Sequence, residues 1–204
     1  MEGFINQNLI FAAYYNFANG TGLPITPAMQ QLIVGQQTWM KAEVSSKAAS
    51  DPYWSHLSLY LQQFQGIVDG YAAAAPANQA LSQIQLWTYA LQFEIGDIMS
   101  ATGGASRKHP VFATPQVKRR DMGEHCSVIV KIADGNERLL HSHITWSAFN
   151  TMLRVYKVYD FPLVKVQFSS YPGLPFSGDD WVLNSHEMSI SETTNEIFNM
   201  SCYK

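Results

Sequence analysis

The sequence predicts an α+β chain, with helices in its first half and strands in its second. Three observations carry that prediction. Apolar residues recur at helical spacing up to about residue 102. From residue 126 onward β-branched residues gather in short runs bounded by turn residues. Between the two lies "GGASRKHPVFATPQVKRRDMGEH", rich in glycine, proline and basic residues and fitting neither pattern.

The elements follow in order. Ile5, Leu9, Ala13 and Phe17 share one helical face, and Asn19-Gly20 ends it. Thr26-Pro27 supplies an N-cap and a first-turn proline for a second helix. Its face carries Met29, Leu32, Ile33, Gln36 and Met40. Asp51-Pro52 repeats the start signal. Leu57, Leu61, Phe64 and Val68 then line a helix expected to end near Gly70. Alanines 72 to 75 and Pro76 form a connector. Ile84, Trp87, Leu91, Ile95 and Ile98 make one last helical stripe, stopped by Gly103-Gly104. Trp39, Trp54 and Trp87 are expected in the core. Residues 103–125 read as an exposed linker, with Lys118-Arg119-Arg120 as a protease target. In the β-rich part, 126–204, Ser127 to Ile132 and Arg138 to His143 flank Asp134-Gly135, a strong hairpin signal. Met152 to Tyr159 fits either a strand or a short helix. Leu163 to Ser169 reads as a strand, and Trp181 to Leu183 pairs with Glu187 to Ser191. The whole is expected to be one domain.

Composition narrows the function classes. The 204 residues carry a net charge of -3 and no large basic block. Nucleic acid is therefore not an expected partner, because phosphate contacts need clustered Lys and Arg. No apolar run reaches the roughly 18 residues of a membrane-spanning helix. No signal peptide is visible. The two cysteines, Cys126 and Cys202, set no disulfide framework, although they could pair with each other. Asn19-Gly20-Thr21 and Asn199-Met200-Ser201 are glycosylation triplets, which point weakly to a secretory or lysosomal route.

Cys126, at the head of the first strand, admits four readings. Free cysteine is among the most buried residue types, so it could simply pack. His141 and His143 alternate and so share a strand face, which with His125 and Cys126 suggests zinc. That spacing matches no usual zinc pattern, so no metal is expected. A Cys–His pair of the papain type wants its thiol at a helix N-terminus, not a strand. An N-terminal nucleophile needs a bond cut just before the cysteine, whose freed α-amine then acts as its base. Linker, thiol and strand stand here in the order that chemistry needs. Asp179-Asp180 reads as a solvated loop in preference to a cation site. Glu94 and Asp97 lie near an apolar stripe, without a catalytic role.

Longer strings add a resemblance. "EHCSVIVKI", "HITW", "MLRVYKVYDF", "VQFSSYPG" and "SISETTNEIFN" stand in that order. With "MEGFINQNLI", "GIVDGY" and "EIGDIMSA" they resemble the phospholipase B-like (lamina ancestor) family over nearly the whole chain. The resemblance implies the αββα sandwich of N-terminal nucleophile hydrolases, only part of it in this chain. It implies a secreted or lysosomal glycoprotein, made as a precursor and cut between His125 and Cys126. Cys126 becomes the nucleophile, His143 a pocket residue near the thiol, and Trp146 a wall of that pocket. Thr193, Thr194 and Asn195 become positioning or oxyanion groups. The expected reaction is cleavage of an amide or an ester of a lipid-type acyl substrate, without a cofactor. Two positions depart from the family's strings. Ile144 stands where the family has Asn, and Gly178 where many members have Cys. The chain is also much shorter than the family's members. The remaining part of a larger precursor is thus an expected partner. The alternative expectation is an inactive, truncated relative that serves as a binding or structural fragment.

Overall fold

The computed structural model describes residues 1–20, 25–102, 125–147 and 149–193. The chain is mixed α and β, as its patterning predicts. It divides into two compact units. One comprises the described parts of Met1–Ser106 together with Pro172–Pro175. The other comprises the described parts of Arg107–Tyr171 and Phe176–Cys202.

The first unit is helical: α1 (Glu2–Ile5), α2 (Gln7–Gly20), α3 (Pro27–Lys47), α4 (Pro52–Ala74), α5 (Gln83–Ala90) and α6 (Ile95–Ala101). The expected start signals are used. Thr26 accepts from the Met29 amide at 3.2 Å, and Asp51 from the Tyr53 amide at 2.9 Å. Ile10, Phe17, Met29, Ile33, Phe64, Ile67, Tyr71 and Trp87 form the core. Four expectations need correction. The first stripe breaks at Asn6, so Ile5 and Leu9 are exposed and Ile10 takes the buried place. The last stripe is split by a 3₁₀ turn, Gln92–Glu94, and Glu94 is exposed there. Trp39 is half exposed and meets Trp54 edge-on outside the core. Helix α4 also runs past Gly70. That glycine and Gly3 let α1 and α4 cross backbone to backbone. A Cβ on Gly3 would fall 2.0 Å from the Ile67 carbonyl oxygen. Among the described residues no helix is long and apolar enough to cross a membrane.

The second unit holds two antiparallel sheets. Strands β1 (His125–Ala133) and β2 (Arg138–Trp146) form a hairpin. Its turn takes positive φ at Asp134, Gly135 and Asn136, the conformation that Asp-Gly-Asn tolerates best. Strands β3 (Val155–Asp160), β4 (Lys165–Ser170), β5 (Trp181–Asn184) and β6 (Ser189–Ser191) follow as a meander paired in sequence order. The ambiguous segment after Met152 is thus a strand. The loop between β4 and β5 is buried almost throughout, which its polar residues could not tolerate without partners. The linker lies outside the described residues.

Candidate active site

The hairpin register sorts its side chains. Cys126 pairs with Thr145, Val128 with His143 and Val130 with His141. Facing residues of an antiparallel pair share a side, so Cys126, Thr145, His143 and His141 line one face. That face is half-buried at its polar residues, whereas Ser142, Ile144 and Trp146 on the other face are exposed.

The lined face is tied to β6 and its flank. His141 lies between the hydroxyls of Ser189 and Ser191, at 2.5 and 2.7 Å. His143 Nε2 is 3.0 Å from the Glu192 carbonyl oxygen. A carbonyl only accepts, so Nε2 donates there, and Nδ1 faces Thr145 Oγ1 at 3.4 Å. The Thr145 hydroxyl donates to the Asp179 carbonyl at 2.8 Å.

Beneath this face stands a buried ion pair. Arg154 Nε donates to both carboxylate oxygens of Asp179, at 2.9 and 2.8 Å. Ser169 donates to the same carboxylate. The guanidinium also bonds the carbonyls of Thr151 and Leu153, and Nη2 donates to the Tyr171 hydroxyl at 2.7 Å. Its central carbon lies 3.6 Å from the Tyr171 ring centre. Asp179 is 6 % exposed, so the sequence expectation of a solvated Asp-Asp loop is wrong. A carboxylate this buried survives because a cation, itself held by three further hydrogen bonds, meets it.

The ion pair sets the backbone that presents Asp180. Ser177 Oγ donates to the Ser169 carbonyl at 3.0 Å and accepts from the amides of Asp179 and Trp181, each at 3.3 Å. Gly178 and Asp180 both take positive φ, 62° and 60°. The Asp180 carbonyl accepts from the Glu192 amide at 3.0 Å. So held, Asp180 Oδ2 receives the Cys126 thiol at 3.6 Å. Burial raises the pKa of Asp180 above the ordinary carboxylate value, and the Glu192 charge adds to it. The Cys126 hydrogen bond and the His143 charge partly oppose that rise.

Thiol and imidazole thus come from two of the strings quoted above, and the carboxylate from the stretch between the last two of them. A model of the family described as phospholipase B matches residues 1–204. The chain belongs to the phospholipase B family. Curated relatives agree. It is 32% identical over 212 residues to phospholipase B-like protein C of Dictyostelium discoideum, covering 97% of this chain and 36% of that protein. It is 30% identical to human phospholipase B-like 1, covering 88% of this chain and 33% of that protein. Phospholipase B-like protein E of Dictyostelium discoideum is 27% identical across all of this chain and 39% of its own length. The chain therefore spans between a third and two fifths of these phospholipase B-like relatives.

The residues that the family resemblance singles out are placed unevenly. Cys126 and His143 share the lined face, and Cys126 is a thiol. Trp146 pairs with His125, and strand alternation turns its ring to the opposite, exposed face. Ile144 faces the same way, so the family's Asn at that position would not point at this thiol. Thr193 is exposed just past β6. Thr194, Asn195, Asn199 and Cys202 lie outside the described residues, as does the His125 side chain. Asn19 sits exposed at the end of α2, its amide donating to the Tyr15 carbonyl at 2.9 Å. Among the described residues no group of three His, Cys, Asp or Glu is arranged to hold a metal ion. Arg154, Ser177, Asp179 and Asp180 were not singled out as functional from sequence. The available signal was that all four are polar residues inside or beside the family's strings, with no strand or helix periodicity to explain them.

Proposed function

We propose that this chain carries the nucleophile of an N-terminal nucleophile hydrolase, and that its two β-sheets are part of an αββα sandwich. A cut between His125 and Cys126 frees the cysteine's α-amine. That amine, titrating near ~8, then takes the thiol proton as the sulfur attacks an amide or ester carbonyl of a lipid-type acyl substrate. His143 shapes the pocket from the same strand face. Thr193, Thr194 and Asn195 are assigned to substrate positioning and to the developing oxyanion, where preorganised donors supply the largest catalytic effect. The observation that carries the reading is the thiol of Cys126, at the head of β1, on the face it shares with His143 and in contact with Asp180. The site needs no cofactor. A secretory or lysosomal setting, with glycans on Asn19 and Asn199, goes with the same reading.

Intact-mass measurement of the purified chain tests it. Two fragments meeting at His125 and Cys126 are expected, and Cys126→Ala should stay whole. The cleaved chain should also form a thioester on Cys126 with a model acyl amide or ester. A wild-type chain that stays whole at every pH and takes up no acyl group overturns the reading. The second reading is a binding fragment without catalysis. It is favoured by the exposed outer face of the hairpin, which displays Ile129, Leu140, Ile144 and Trp146.

A further inference from the structure

A nucleophile that relies on its own α-amine meets a difficulty before that amine exists. In the uncut chain the nitrogen of Cys126 is an amide, delocalised into the His125 carbonyl and without basicity. The first cut needs another group to take the thiol proton. His143 holds Nε2 against the Glu192 carbonyl and turns Nδ1 toward Thr145. His141 is held between two serine hydroxyls. Asp179 is committed to Arg154. Among the described residues, Asp180 is a carboxylate that reaches the sulfur.

Resting on the hydrolase reading above, we propose that Asp180 is the general base and acid of self-cleavage at His125–Cys126. Asp180 Oδ2 takes the proton from Cys126 Sγ, 3.6 Å away. The thiolate adds to the carbonyl carbon of His125, forming the carbon–sulfur bond. As the carbon–nitrogen bond breaks, protonated Asp180 returns that proton to the leaving nitrogen. The product is a thioester between the His125 carbonyl and the Cys126 sulfur, with a free α-amine. Water then hydrolyses the thioester, leaving a carboxylate on His125 and a thiol on Cys126. Asp180 ends each cycle as it began.

Two further features fit this role. The carboxylate is preorganised by its surroundings: a left-handed backbone at Gly178 and Asp180, the Ser177 bridge and the Glu192 amide all fix it. Its surroundings also favour the protonated form. Among the described residues, the titratable and charged groups around it are Cys126, Glu192 and His143, with the Asp179–Arg154 pair beginning one residue before it. A carboxyl raised by burial and by Glu192 is a stronger base toward a thiol than an ordinary carboxylate.

The test uses Asp180→Asn, which keeps shape and removes the base. Cleavage is followed by intact mass, and thiol reactivity by iodoacetamide alkylation of Cys126 in uncut chain across pH. Cleavage should slow by about 100-fold or more. Alkylation should move the other way, its midpoint falling to lower pH, because a neighbouring negative charge that opposes the thiolate is gone. A merely structural loss would not produce that opposite pair. Glu192→Gln should keep cleavage but shift its pH midpoint downward. Equal cleavage rates in wild type and Asp180→Asn overturn the inference and leave the hydrolase reading standing. An unchanged alkylation midpoint in Asp180→Asn overturns it even if the wild-type chain never cleaves.

Discussion

Arg154→Ala removes the cation that makes Asp179 tolerable, and the structure sets the scale of the loss. Asp179 is 6 % exposed and would keep only the Ser169 hydroxyl on its carboxylate. Removing one partner of a buried pair costs about 3–5 kcal/mol, because the other charge is stranded. The Arg154 side chain keeps 26% of its surface in water, which points to the lower end, about 3 kcal/mol. For a chain of this size that corresponds to a melting temperature lower by about 6–12 °C. Urea unfolding of the wild type, Arg154→Ala, Asp179→Asn and the double variant reads the effect as a cycle. The double variant should recover much of the loss, since neither charge is then stranded. Arg154→Lys should lose nearly as much as the alanine, because one ammonium cannot also reach the Thr151 and Leu153 carbonyls and the Tyr171 hydroxyl that hold the guanidinium. Single variants each costing under about 1 kcal/mol, with an additive double, would match an exposed pair and refute the reasoning.

Asp180 has a raised pKa in the fold, so its contribution to stability is complete below its ordinary value of 3.8 and is lost as pH rises through the folded value. Asp180→Asn should therefore gain on the wild type in melting temperature as pH rises across that window, and a constant difference would contradict it. Gly3→Ala drives a Cβ into the Ile67 carbonyl and should lower the melting temperature through strain of about 1–3 kcal/mol, whereas Ala at the open Gly35 should not. Ile144→Asn restores the family's residue on the exposed strand face. Stability should change by less than about 0.5 kcal/mol, and the Cys126 alkylation midpoint should not move.

Much of the site was within reach of sequence reading up to a definite point. Asp134-Gly135 flanked by β-branched runs determines a hairpin, and period-2 alternation then puts His141, His143 and Thr145 on one side. The same logic places Trp146 and Ile144 on the other side, although the motif they belong to suggested the pocket. Thr26-Pro27 and Asp51-Pro52 determine where helices begin, because a cap acts within one turn. Helix interruptions at Asn6 and Leu91 escaped the periodicity, since the apolar stripes run across them with little change of phase.

Tertiary structure alone decided what surrounds the sulfur. Asp180 is 54 residues from Cys126, and no local pattern joins them. Asp-Asp beside glycine has the composition of a solvated turn. It becomes buried because Arg154, from before β3, brings a cation whose Nε meets both carboxylate oxygens, and because Ser177 and Glu192 hold the backbone left-handed. Caps, turns and alternation act over a few residues and can be read along the chain. Burial of a charge depends on a partner brought in by chain closure, and its energy exists only once both have left water.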